Sequence, residues 1–189
     1  MLTTRAWFAT LAVAVAYPVA AVVTEDVQYA TYEVKSQQGV DLHTLLRRAT
    51  PIRQDGRSYL GSANPRISWK LSFVLLPNGH CRIKRVTTTL AVTIMLPGSS
   101  DHAISDNGAF RVFITRLKAH ELGHYQIARD TALAIDKAIL RLPESNSCAA
   151  LTAAANNLGN DLWSNLRQQQ QAYDNGTEHG RSQGAWLEQ

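Results

Sequence analysis

The sequence predicts an α+β fold: a small antiparallel β-sheet followed by a long helix, with a second long helix packed against the first as a hairpin. Three observations predict this class. Alternating apolar residues in the first half of the chain are typical of half-buried strands. Two long segments of the second half carry apolar residues at helical spacing. At 189 residues, the chain is long enough for one domain with a substantial core.

Residues 1–21 predict a signal peptide. Arg5 supplies a positive charge, residues 7–16 form an apolar run, and small residues offer a cleavage site near Ala21. The run is shorter than the about 20 residues that a membrane-spanning helix needs, and Pro18 ends it. The alternative is an N-terminal anchor that is not cleaved. Both interpretations predict that residues 22–189 are exported as a single domain.

The first half of this domain contains the predicted strands. Residues 27–36 are rich in Val, Tyr and Thr and predict a strand, and residues 39–49 predict a short helix. After a predicted loop over residues 51–65, apolar residues alternate over residues 66–75 and indicate a second strand. A Pro-Asn-Gly turn signal leads into residues 80–96, which predict one bent strand or two.

The first predicted helix covers residues 107–142. It has Asp106 or Asn107 as its N-cap, a continuous apolar stripe, and Pro143 as its stop signal. The second predicted helix runs from about residue 147 to residue 172.

The end of that second helix is predicted to be polar and exposed. The glutamines at residues 168–171 are interpreted as its last turn, and the tail from Asp174 is predicted to be irregular.

Charge and cysteine content narrow the class of protein. The net charge of +4 comes from 19 basic and 15 acidic residues, and the basic clusters at residues 47–48 and 82–85 are short. We therefore expect no nucleic-acid partner.

Cys81 and Cys148 predict a disulfide bond in an exported protein. The alternatives are two buried thiols or two zinc ligands.

The motif His120-Glu121-Leu122-Gly123-His124 lies on the apolar stripe of the first long helix. Residues four apart share one face of a helix, so both imidazoles can bind a single Zn²⁺. Glu121 points about 100° away and can act on a water beside the metal without binding the metal itself. The alternative is a pair of core histidines, but burying both beside a charged glutamate is costly without a metal.

A catalytic zinc usually takes three protein ligands. Asp130 occupies the third-ligand slot of a longer version of the motif, but on a continuous helix it lies about 15 Å beyond His120 and points elsewhere. We expect the third ligand to be His179, in the segment after the second helix, with Glu178 as the runner-up. We therefore interpret Asp130 as a surface or supporting residue.

Two further residues near His179 have alternative roles. Tyr173 is the best candidate for a side chain that assists catalysis, or it is an aromatic residue that caps the helix end against the core. Asp174 either orients a ligand imidazole as a hydrogen-bond acceptor or caps the loop.

The chain resembles a family of predicted secreted zinc-dependent proteases catalogued as a bacterial domain of unknown function. The resemblance covers residues 27–187. It rests on the exported N-terminus, an early strand, a strand tryptophan (Trp69), the Cys81/Cys148 pair, the helix motif, and a tail with Tyr173, Asp174, Thr177, His179, Gly180, Gln183 and Gly184. It implies a peptidase of the bacterial envelope or exterior, with His120, His124 and His179 as ligands and Glu121 as the base.

We therefore expect a secreted or periplasmic zinc metallopeptidase that acts on a peptide or protein substrate and has no stable membrane span after processing. Glu121 is expected to act as general base towards the attacking water. One alternative is an amidase that cuts cell-wall peptides. The other is a non-catalytic envelope module, whose structural zinc would be closed by a fourth protein ligand such as Glu178.

Overall fold

The computed structural model describes residues 23–54 and 56–187, so the predicted signal peptide over residues 1–21 lies outside the described part of the chain. The class is α+β. The elements in chain order are β1 (Val23–Glu33), α1 (Leu42–Ala49), β2 (Arg53–Gln54), β3 (Arg57–Ser58), β4 (Ser62–Leu75), β5 (Cys81–Gly98), α2 (His102–Ser105), α3 (Gly108–Leu140), α4 (Cys148–Thr177) and a 3-10 helix (Arg181–Gln183).

The three long strands form one mixed sheet in the order β1-β5-β4. β4 is antiparallel to β5, whereas β1 is parallel to β5, so the sheet is not antiparallel throughout as predicted. The physical reason is the path of the chain. Residues 34–61 reverse its direction between β1 and β4, and the tight turn after β4 reverses it again. When β5 then inserts between the two strands, it runs parallel to β1.

Several boundaries differ from the predicted ones. β1 begins four residues earlier than expected, at Val23, and β4 begins at Ser62, inside the predicted loop over residues 51–65. That loop also contains the small β2–β3 hairpin. Residues 81–98 form a single long strand, β5, and the irregularity lies in the pairing of β4, between Ser72 and Phe73.

Helix α3 packs against the sheet and contributes many of the buried core residues. Its N-cap is Asn107, whose side-chain oxygen accepts a hydrogen bond from the backbone N–H of Phe110. Leu117 and Ala128 of α3 are buried in the same apolar cluster as Leu90 and Ile94 of β5. The motif residues 120–124 lie between Leu117 and Ala128, so the helix faces the core on both sides of them.

Helix α4 is fixed at its first residue. Cys148 forms the predicted disulfide bond with Cys81 at the start of β5. Chain-entropy arithmetic for a loop of this length gives a stabilisation of roughly 4 kcal/mol as an upper figure. Further along α4, Gly159 lies directly under the Trp69 ring, where a Cβ atom would come within 2.4 Å of the indole. In the described part of the chain, no helix is long and apolar enough to cross a membrane.

Candidate metal centre

The middle of α3 places three polar side chains in the protein interior. His120 and Glu121 are each 3% exposed and His124 is 9% exposed. The two histidines are one helical turn apart, and their Nε2 atoms lie 3.3 Å from each other. The sequence motif therefore folds into a pair of converging imidazoles with a buried carboxyl group beside them.

A carboxylate from α4 completes this cluster. Asp174 Oδ1 lies 3.3 Å from His120 Nε2 and 3.0 Å from His124 Nε2. A tetrahedral zinc ion with ligands at about 2.0–2.1 Å holds those ligand atoms about 3.3 Å apart. The three atoms are thus spaced like one face of a zinc tetrahedron, and the donor set of two imidazoles and a carboxylate suits zinc.

The position of Asp174 corrects the predicted end of α4. The helix continues to Thr177 instead of ending near residue 172, so Asp174 is a helical residue and not part of an irregular tail. The inward face of α4 continues through Leu166, Gln170 and Tyr173 at helical spacing. The Thr177 hydroxyl donates to the Tyr173 carbonyl oxygen at 2.8 Å. The last turns of α4 consequently lie against the motif on α3.

Asp174 and His124 shift each other's pKa. Burial alone would raise the pKa of Asp174, but its hydrogen bonds with His120 and His124 outweigh burial and hold that pKa well below its ordinary value. Burial alone would lower the pKa of His124, but hydrogen bonds with Asp174 and Gln170 raise it instead. The two shifts share one contact, between the Asp174 carboxylate and the His124 imidazole, which favours the charged form of each group.

Glu121 occupies a different environment. Burial raises the pKa of its carboxyl group to about 7, and the nearby His124 and His120 offset this only in part. The carboxyl group packs against Gly61, just before β4, where a Cβ atom would lie 2.5 Å from Glu121 Oε1. Only glycine at position 61 leaves room for the carboxyl group in this place.

Tyr173 packs against His120 of this cluster. Its ring stacks on His120 with 5.1 Å between the ring centroids, and its hydroxyl donates to the His120 carbonyl oxygen at 3.2 Å. Gly123 makes this approach possible, because a Cβ atom there would lie 2.1 Å from the hydroxyl oxygen. These contacts favour the packing role of Tyr173, and its catalytic role stays a prediction.

His179 lies on the solvent side of Asp174. Its Nδ1 is 3.6 Å from Asp174 Oδ1, its side chain is 46% exposed, and its ring contacts Tyr59 with 5.5 Å between centroids. Glu178 and His179 follow α4 with positive φ angles of 50° and 53°, a conformation that costs non-glycine residues energy. The Glu178 side chain is exposed. His179 therefore adjoins the three-atom cluster, and its role as the third ligand stays a prediction.

Two glutamines without a predicted role in the site also contact its histidines. Gln170 was predicted to lie in an exposed last turn, but it is half-buried, and the helix continues beyond it. Gln183 Oε1 lies 2.9 Å from His120 Nδ1, and Gln170 Oε1 contacts His124 Nδ1. Helical spacing from Leu166 could have identified Gln170, since it lies one turn later on the same stripe. Gln183 follows the helix in a 3-10 turn, so no periodic pattern points to it. As expected, Asp130 is remote and exposed, and accepts a hydrogen bond from Gln126.

One family model matches the chain. It is described as a bacterial protein of unknown function (DUF922), and it matches residues 29–180, which include α3, the whole of α4 and His179. Neither the curated proteins nor the solved structures contain a match to the chain.

Proposed function

We propose that this chain, which belongs to the DUF922 family of bacterial proteins of unknown function, is an exported zinc-dependent hydrolase that cleaves peptide bonds. The observation that carries the proposal is the convergence of His120 Nε2, His124 Nε2 and Asp174 Oδ1, which lie 3.0–3.3 Å from one another. These atoms fit the spacing of zinc ligands, and a bound cation would offset the cost of burying them together.

Under this proposal His120, His124 and Asp174 hold the metal. His179, the third ligand predicted from the sequence, is close enough to Asp174 to adjoin the same ion on its solvent side. An ion held by three protein ligands keeps a coordination position for a reacting molecule, whereas a fourth protein ligand would close a structural site. The part played by His179 therefore separates an enzyme from a non-catalytic module.

The chemistry follows from the groups around the ion. Bound zinc supplies Lewis acidity towards a carbonyl group and a water molecule. Glu121 takes the proton of the attacking water and delivers it to the leaving amine, so that the peptide bond is replaced by a carboxylic acid and an amine. The order of the motif, with the glutamate directly after the first histidine, is typical of metallopeptidases.

Two features support export and the predicted helix packing. The Cys81–Cys148 disulfide bond fits an oxidising compartment such as the periplasm or the cell exterior. The two long helices contact each other at two places. Ile139 near the end of α3 shares a cluster with Leu151 near the start of α4, and Gln170 in the last third of α4 bonds to His124 in the middle of α3. Both contacts support the proposed hairpin.

Metal content and a single variant test the proposal. We expect about one zinc ion per chain and hydrolysis of denatured protein that falls by about 10²–10⁴-fold in Glu121→Gln, because the general base is lost. Zinc content should stay unchanged, since Glu121 is not a ligand. Glu144→Gln, at an exposed glutamate between α3 and α4, is the matched control and should keep full activity.

Parallel digestion of purified cell wall separates a general peptidase from an amidase of cell-wall peptides. Full activity in Glu121→Gln would refute the assigned mechanism. Zinc binding without hydrolysis of denatured protein or of cell wall would favour the non-catalytic module over both enzymes.

A further inference from the structure

Each imidazole of the motif is held at both of its nitrogens. The Nε2 atoms face Asp174, as described above. On the opposite side of the rings, His120 Nδ1 lies 2.9 Å from Gln183 Oε1, and His124 Nδ1 contacts Gln170 Oε1. The two glutamines come from different elements, one from the interior of α4 and the other from the 3-10 helix that follows it.

Other contacts fix which end of each amide faces its histidine. Gln170 Nε2 donates at 2.9 Å to the His124 carbonyl oxygen, which can only accept. Gln183 Nε2 donates to the Tyr173 hydroxyl at 3.1 Å, because that hydroxyl gives its single proton to the His120 carbonyl oxygen. The amide oxygens are therefore the atoms that meet Nδ1 of both rings. Because an amide oxygen can only accept a hydrogen bond, each Nδ1 carries a proton.

This arrangement determines the state of the other ring nitrogens. In a neutral imidazole with a proton on Nδ1, Nε2 presents a lone pair. When both rings are neutral, as metal ligands must be, two such lone pairs and the Asp174 carboxylate meet within 3.3 Å, an arrangement that a bound cation stabilises.

We infer that Gln170 and Gln183 are positioning residues that fix both imidazoles with Nε2 directed at the metal, so that the segment after α4 forms part of the metal centre. The inference rests on the metal-binding part of the proposed function and does not require hydrolysis. Outer partners of this kind typically contribute 10–100-fold to metal affinity. Neutral amides also leave the imidazoles less basic than the carboxylates that often take this place.

The two glutamines should respond differently to replacement by glutamate. In Gln183→Glu, the second carboxylate oxygen would face the Tyr173 hydroxyl, which can turn and donate to it. In Gln170→Glu, the second oxygen would face the His124 carbonyl oxygen, and two acceptors cannot satisfy each other. We therefore expect Gln183→Glu to keep or increase the affinity for zinc and Gln170→Glu to lose affinity.

The test measures zinc affinity by competition with a chelator in the full mature chain. Gln170→Leu and Gln183→Leu should each bind zinc about 10–100-fold more weakly than the unchanged protein. Gln171→Leu, at the exposed neighbour in the same glutamine tract, is the matched control and should bind normally. Melting temperatures measured without zinc identify any variant that loses affinity because it fails to fold.

Nuclear magnetic resonance of the histidine side chains supplies a second readout. The zinc-loaded protein should show a protected Nδ1–H signal from His120 and from His124, and each leucine variant should lose the signal of its own histidine. Unchanged affinity and unchanged signals in both leucine variants would overturn the inference while leaving the proposed function intact. Zinc binding and both signals without hydrolysis would overturn the hydrolase and leave the positioning role standing.

Discussion

The proposed metal centre combines two regions with opposite properties. The α3 region, defined as residues 120–124, lies in mid-helix, is buried, and belongs to an element anchored in the core on both sides. The tail region, defined as residues 170–183, consists of the last turns of α4, the 3-10 helix and the residues between them. All its residues except Gly180 are half-buried or exposed. Two consecutive non-glycine residues with positive φ lie within it.

This difference indicates that the two regions would have different roles in the proposed centre. The α3 region presents two imidazoles and the base in fixed positions, because the core already determines where the helix lies. The tail region supplies the charge of Asp174 and the amides that orient the rings, yet it lies at the far end of α4 from the disulfide bond. Metal affinity should therefore depend on the tail region, and proton transfer on the α3 region and its neighbour Gly61.

The largest effect is expected from the tail region. Asp174→Ala removes the anionic donor and should weaken zinc binding by more than about 100-fold, the upper end for losing an outer partner. His179→Ala should also weaken binding if His179 is a ligand as predicted, and we expect a smaller loss because its ring lies on the solvent side of Asp174. Chelator competition measures both affinities.

The same measurement decides between the carboxylate and the third histidine. Glu178→Ala tests the exposed alternative ligand and should bind zinc normally. His102→Ala, at an exposed histidine of α2, serves as the control. A loss in His179→Ala that equals or exceeds that in Asp174→Ala would reverse our ranking of the two donors. Unchanged affinity in His179→Ala would reject His179 as a ligand.

A smaller effect is expected from replacing Gly61, which packs against the proposed base, Glu121. Gly61→Ala would place a Cβ atom 2.5 Å from Glu121 Oε1, so the carboxyl group must move. A displacement of about 1 Å can reduce catalysis by on the order of 10²-fold, and we expect a loss of roughly 10-fold or more in kcat/KM with zinc affinity unchanged. Gly108→Ala, where a Cβ atom meets open space, is the control. Normal hydrolysis by Gly61→Ala would show that Glu121 need not hold this position.

The same division explains what the sequence could predict. The α3 region follows from local rules, since residues four apart share a helix face and Asn107 and Pro143 delimit the helix. The tail region does not, because the polar glutamine tract suggested an early end to α4, whereas the helix continues to Thr177 and packs against α3. The parallel pairing of β1 with β5 depends on how residues 34–61 cross the molecule, which alternation of apolar residues does not encode.

The smallest effect concerns the contact between β1 and helix α3 just beyond the α3 region. Glu25 accepts hydrogen bonds from the Tyr125 hydroxyl and from Arg129 Nε, the latter at 2.9 Å. The hydrogen bond from Tyr125 and the charge of Arg129 hold the pKa of Glu25 below its usual 4.5 despite partial burial. A carboxyl group with a lowered pKa in the folded state stabilises the protein above its unfolded pKa, and this contribution is lost as pH falls through the folded value.

Glu25→Gln should therefore lower the melting temperature at pH 7 by about 2 °C or less, as expected of a pair near the surface. The difference from the unchanged protein should disappear as the pH falls below about 4. Asp26→Asn, at the adjacent exposed carboxylate outside the contact with Tyr125 and Arg129, is the control and should leave the melting temperature at pH 7 unchanged. Zinc affinity should be the same in Glu25→Gln, because the core fixes the α3 region without this contact. A clear loss of zinc affinity would mean that the α3 region is positioned from the surface and would remove the contrast with the tail region.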